Sequence, residues 1–570
     1  MRKLAVARAG GWVAVLACTA LSCVGSIGGP DPSENDGTLG RLTYTCTEQQ
    51  ELSRGVTFDH MRRLSHAELV NTLGALLGEA IIGDAEIQTK LSGLPVDEMV
   101  LAGDFTDNPP VGTALALFQV SKRAVELAMA SPAWKTDHLP SCAGTSPLTD
   151  ACVEMVVEQF GGQVWRRDLG PAEVQTYLGH YHEAGADTEG LSYLLRRLLQ
   201  SPSLVFHVEE GAEIENGRIR LTDFEVASRI SYLTQNTMPD DALMKAARSG
   251  ELRSLEGVRA HVKRLLAEEK SHAKVRDFFR YYARLGTVPD PMPAVGEQIG
   301  IPDTSGLGAE MRQEAFDFFD HVFWSEGGTF NELMSSSAAF PRSEAMARVF
   351  DAQVVSSEQP VASAPSHPGL LHRPALLTSS GGRTSPIVRG ARLRKAFLCD
   401  EMGMPDPAAV AERKNEVGDI ENMSNRDKTT KLTDAPACIV CHARVNGIGF
   451  AFEGFDQLGA TRSVETVFNE QGEPGATWPI DTTAQSPELE PGGPESLSDS
   501  VELAFAMSES RKARACISRR LFEYYHASTV DLPNDSCLLS EEEAQSQSGT
   551  LQSVLLATIA NEDIFWKQEP

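Results

Sequence analysis

Leu221-Thr222-Asp223-Phe224-Glu225-Val226-Ala227-Ser228-Arg229-Ile230-Ser231-Tyr232-Leu233 is the stretch that decides the fold class. Thr222 with Glu225 three residues later is a capping-box pair: the hydroxyl and the carboxylate each accept a backbone N–H that the first helical turn leaves open. Ile230 and Leu233 follow at helical spacing, and the pattern continues through Leu243, Leu252, Val262, Leu265 and Leu266 to Phe278, Phe279, Tyr281 and Tyr282. Working outward, Ser65-His66-Ala67-Glu68 repeats the capping box in front of Leu69, Val70, Leu73, Leu76 and Leu77. Between them, Val153, Val156, Val157 and Phe160, a Pro171 start, and Leu191, Leu194, Leu195, Leu198 and Leu199 again carry the 3.6-residue period. Downstream, Leu503 to Tyr525 and Leu551 to Trp566 read as two further helices. Strand-like alternation is scarce. The pattern predicts a mainly α, multidomain protein whose irregular stretches are the Ser/Pro/Ala/Gly-rich segment Gln353 to Pro374 and the Gly/Pro/Glu/Ser-rich segment Gly472 to Ser500.

A chain of 570 residues that is 41% hydrophobic has material for three to five compact units. Its 79 acidic residues against 51 Lys+Arg give a net charge of -28, which repels nucleic acid and anionic lipid and suits at most a basic partner. The opening MRKLAVARAGGWVAVLACTALSC pairs Arg2, Lys3 and Arg8 with a short apolar run, the make-up of an export leader. No stretch reaches the roughly 20 apolar residues of a spanning helix. Ala20-Leu21-Ser22-Cys23 resembles a lipoprotein cleavage box, and the Gly/Pro/Ser/Asp-rich tether after it favours Cys23 as the acylated residue over the alternative Cys18. Eight cysteines then remain. In an oxidising compartment, those that no cofactor uses are expected to pair. Proximity suggests Cys142 with Cys152 and Cys516 with Cys537, leaving Cys46 and Cys399 over, although spacing alone does not fix connectivity.

Residues 438 to 442 read Cys-Ile-Val-Cys-His, the pattern that holds a c-type haem through two thioethers and one imidazole. With ten cysteines and thirteen histidines, chance would produce this pentapeptide roughly 0.004 times, so coincidence is a poor explanation. On a helical turn, Cys438 and Cys441 lie on one side, with His442 beside them. A structural zinc site would want four ligands, and the chain has neither a second Cys-x-x-Cys nor a histidine pair at finger spacing. A thioredoxin-like dithiol would want a strand before it, and Pro436-Ala437 supplies none. The glycines after the motif allow close approach to a flat ring. Phe450, Phe452 and Phe455 either wall that ring from water or pack as ordinary core. The second axial ligand stays open among Met402, Met404, Met423, Met507, His367, His372 and His526.

Together these pieces resemble a group of large exported planctomycete and myxobacterial proteins built from planctomycete-specific domains and planctomycete cytochrome c-type domains of unknown function. Arg62-Arg63-Leu64-Ser65-His66-Ala67-Glu68, Trp165-Arg166-Arg167-Asp168-Leu169 and the Leu221 to Leu233 stretch are similar to their successive helical units. Gly369-Leu370-Leu371, Arg383-Thr384-Ser385-Pro386, Cys399, Cys438 to His442 and Gly449 to Asp456 follow the order of the cytochrome-type unit. Asn446-Gly447 stands where that group usually has Asp-Pro.

The expected division is a lipoprotein signal peptide at 1–23, a flexible tether at 24–55, a small helical domain at 56–145 and a helical domain at 146–212. A central helical domain at 213–352, a cytochrome c-type domain at 366–480 and a C-terminal helical domain at 481–570 complete it. The expected function is electron transfer by one haem c on a lipoprotein of the bacterial cell envelope, at a periplasmic or outer-membrane face, with a basic or membrane-associated redox partner. A haem-dependent, peroxidase-like oxidoreductase acting on an extracellular substrate and a non-redox surface binding protein are the rival readings.

Overall fold

The computed structural model describes residues 46–47, 62–94, 111–144, 147–325, 327–355, 359–403, 406–469, 471–490, 492–527 and 532–568. The expected signal peptide, Cys18, Cys23, nearly all of the tether and Met404 lie outside them. The protein is mainly helical, with a few strands of two to six residues. Both capping boxes form: Ser65 Oγ accepts from Glu68 N–H at the start of His66–Leu77, and Thr222 Oγ1 accepts from Glu225 N–H at the start of Asp223–Gln235. Among the described residues, no helix is long and apolar enough to cross a membrane.

Two hydrophobic cores organise the helices. The first gathers residues from Leu64 to Leu204 with Tyr232, so segments 56–145 and 146–212 share one interior. Helix Thr188–Leu199 turns its whole leucine stripe into it. The second runs from Leu221 to Trp566 and takes in the central, cytochrome-type and C-terminal segments. Its aromatic centre stacks Phe279 on Phe319 at 4.1 Å between ring centroids, joining Lys270–Tyr282 to Leu307–Trp324.

Two C-terminal expectations change. Leu503 to Tyr525 is not one helix but two, Ser500–Glu509 and Arg511–His526, because Ser510 takes an extended conformation and its hydroxyl caps the second. The last helix ends at Ile559, and Trp566–Gln568 becomes a strand paired with Arg218–Arg220.

Disulfides join Cys142 to Cys152, as expected, but also Cys399 to Cys516 and Cys46 to Cys537. The expected Cys516–Cys537 pair is replaced for a geometric reason. Helix Leu532–Ser548 packs beside Arg511–His526 so that Leu538 and Leu539 meet Phe522, six residues beyond Cys516. Six residues of helical rise are about 9 Å, more than the ~7 Å between Cα atoms that a disulfide spans. Cys516 instead faces the end of helix Pro386–Phe397, where Cys399 turns back in a left-handed conformation, φ 51°.

Candidate functional site

The Cys-x-x-Cys-His motif occupies the first turns of helix Pro436–Ala451. Pro436 opens the helix, a position where its missing N–H costs nothing. The second half of this helix, from Val445 to Ala451, is buried, whereas Cys441, Ile439 and Val440 are exposed and Cys438 is half-buried. Two neighbours root the buried half. Helix Pro386–Phe397 crosses so closely that a Cβ on Gly390 would collide with the Val445 carbonyl, and one on Gly449 with the Pro386 carbonyl. Helix Asn425–Thr433 lies antiparallel on another side, with Asn425 bonded to Glu453 and Thr433 to Asn446. The motif is thus presented at the free end of a firmly held rod.

The described cysteines sort into two sets. Six are consumed by the three disulfides, and only Cys438 and Cys441 keep free thiols. Among the described residues, no group of three or more His, Cys, Asp or Glu side chains is placed to hold a metal ion.

The orientation of His442 follows from a chain of hydrogen bonds. Thr433 Oγ1 donates to the Thr429 carbonyl at 2.8 Å, so its lone pairs face Asn446. Asn446 Nδ2 donates to that hydroxyl at 2.8 Å, which turns Asn446 Oδ1 towards His442 Nδ1 at 3.2 Å. An amide oxygen only accepts, so Nδ1 carries the proton and Nε2 keeps its lone pair. That is the tautomer an iron-ligating imidazole needs, fixed by a neighbour as metal-bound histidines usually are. The unpaired thiols and this braced imidazole therefore fit a covalently held haem.

In the sequence Asn446 is legible only as a departure from the usual Asp-Pro. It stands inside the helix, four residues after His442, and that i,i+4 spacing was the available signal. The glycines and aromatics after the motif serve packing rather than a ring. Gly447 and Gly449 meet the Gln485 and Pro386 backbones, Phe450 lies under the Arg426 guanidinium at 4.4 Å, and Phe452 and Phe455 pack on His372. Phe452 is also ten residues from His442, about 15 Å along the axis.

The axial candidates separate as well. His367 and His372 engage both ring nitrogens, with Ser366 Oγ and the Gly459 carbonyl for one, and the Pro368 carbonyl and Ser500 Oγ for the other. Burial pushes them down to about 4 and about 3, so they remain neutral core groups. His526 is buried against the Thr558 carbonyl and is likewise held down to about 4. Met507 is fully buried in the core. Met423 precedes Asn425, whose antiparallel register sets it near Glu453, at the opposite end of the helix from the motif. Met402 follows Cys399 at the end of Pro386–Phe397, the end that runs past the first turns of the site helix.

The two free thiols and the braced imidazole stand together on one helix end within a mainly helical body. Residues 367–465, which contain the whole site, match the family model PSCyt3, protein of unknown function (DUF1588). Residues 221–351 match PSD4, protein of unknown function (DUF1592), and residues 152–209 match PSD5, protein of unknown function (DUF1595). These segments are, by family, two planctomycete-specific domains and a planctomycete cytochrome c-type domain. No curated protein and no solved structure matches it.

Proposed function

We propose that this protein is an envelope electron-transfer lipoprotein, carrying one haem c bound through Cys438 and Cys441 and ligated by His442, with Cys23 as its lipid anchor. The observation that carries the reading is the sorting of the cysteines: disulfides take every other described thiol and leave the motif's pair free on an accessible helix end. Disulfides accord with an exported chain, and a net charge of -28 accords with a basic redox partner. When bound, the group supplies a one-electron ferrous/ferric couple. The chain's own contribution is to hold two thiols one turn apart, to aim Nε2 through Asn446 and Thr433, and to keep the first turns reachable from solvent.

The test is the visible spectrum of the mature full-length protein, made in a host with cytochrome c assembly machinery and recorded with and without dithionite and carbon monoxide. A reduced spectrum unchanged by carbon monoxide is expected. Ready carbon monoxide binding would transfer support to the peroxidase-like reading, and a colourless protein would end both.

Asn446 offers a finer check. Asn446→Asp restores the acidic residue usual in the family and places a carboxylate on the imidazole N–H, which favours the ferric state. The midpoint potential of the loaded protein is expected to fall by on the order of 60 mV, a tenfold change in a one-electron equilibrium. A redox titration showing no fall would contradict the proposed brace.

A further inference from the structure

Away from the cysteine motif, a cleft of about 250 Å³ opens where the central segment meets the cytochrome-type segment. Arg284 to Pro289 form one wall, and Ala375 to Ser380 with Ser385, Val388, Arg389 and Arg392 form the other. Three arginines line it, Arg284, Arg389 and Arg392, and no aspartate or glutamate does. In a chain whose acids outnumber Lys+Arg by 79 to 51, an acid-free cleft of this kind is a local inversion of charge.

The arginines differ in what they have left to give. Arg389 spends its donors on the carbonyls of Leu377, Phe452, Phe455 and Asp456. Arg392 donates through Nη1 alone, to the carbonyls of Ala375 and Leu376, so Nη2 and Nε remain. Burial depresses its guanidinium, with no carboxylate near enough to offset the effect. Arg284 is exposed at the mouth of the cleft, and its guanidinium makes no hydrogen bond or ion pair among the described residues. The nearby carboxylate, Glu523, is already held by Arg519 at 2.8 Å and Arg520 at 2.5 Å. Arg284 also occupies a left-handed position after helix Lys270–Tyr282, φ 52°, where glycine is the usual residue.

We infer that this cleft binds a small oxyanion, a carboxylate or phosphate group held between Arg284 and Arg392. Guanidinium forks match both anions in geometry and charge. The volume lies below the roughly 300–1,000 Å³ of sites for drug-sized ligands, which selects a small molecule. Because the walls come from residues 284–289 and 375–392, the anion would bridge the segments that match PSD4 and PSCyt3.

The test is isothermal titration of the mature full-length protein, in low-chloride buffer, with succinate and separately with inorganic phosphate. One-to-one binding of at least one of them is expected, and the anion that binds assigns carboxylate or phosphate. Arg284→Gln and Val388→Trp, which fills the cleft without changing charge, should each weaken it about tenfold or more. Arg253→Gln, at an exposed arginine elsewhere, should not. The Arg284 side chain is exposed and unpaired and Val388 is 53% exposed, so both variants should melt like the parent. No heat from either anion at about 10 mM, or binding unmoved by Arg284→Gln and Val388→Trp, would overturn the assignment.

Discussion

Replacing Cys438 and Cys441 together by alanine is expected to abolish covalent haem attachment while leaving the fold as stable as the parent. The two halves of this expectation have separate causes. Attachment runs through these two sulfurs, and none of the other described thiols can substitute, because disulfides hold them. The fold is indifferent because the motif lies in the exposed first turns, while the helix is held by Val445 to Ala451. Alanine is also the best helix former. Intact mass of the purified protein should show the parent heavier by one haem and the double variant at the mass of the bare polypeptide. Each single variant should retain a reduced fraction through one thioether, and His442→Ala should retain attachment but lose the parent's reduced spectrum. Haem mass in the double variant at the parent's level would contradict the assignment.

How far the sequence speaks here depends on the kind of signal. Capping boxes and apolar stripes are local, so Ser65 with Glu68, Thr222 with Glu225 and the leucines of Thr188–Leu199 appear in the structure as read. The chemistry-bearing motif was legible for the same reason, five adjacent residues. What escaped has no apolar period. Helix Asn425–Thr433 buries Asn425, Thr429 and Thr433, a stripe at helical spacing made entirely of polar side chains. A hydrophobic pattern cannot find it, yet it braces Asn446 and through it His442. Disulfide connectivity escaped because tertiary register decides it: Cys516 and Cys537 are near in sequence but stand at different levels of adjacent helices.

The largest loss of stability is expected from Arg373→Met, at a residue whose side chain has no exposed surface. Its guanidinium pairs with Glu314 at 3.0 Å and donates to the carbonyls of Ala338, His367 and Gly369. The Phe318 and Phe350 rings flank it at 4.3 and 5.0 Å. Methionine fills much of the volume but leaves three carbonyls and a buried carboxylate without their donor. Breaking one side of a buried ion pair costs about 3–5 kcal/mol, so the urea midpoint should drop sharply. Glu314→Gln keeps the carbonyl bonds and an acceptor for Arg373, and should cost about 1–3 kcal/mol. A pH series separates lost charge pairing from lost packing. Burial already pushes the Glu314 carboxyl up, and removing Arg373 pushes it further. A folded-state acid with a raised pKa loses stability as pH rises above its unfolded value of 4.5. The deficit of Arg373→Met against the parent at the same pH should therefore be greatest near neutrality and shrink as pH falls towards 4.5. A deficit below about 1 kcal/mol, or one that does not change with pH, would mean that the pair does not hold the central and cytochrome-type segments together.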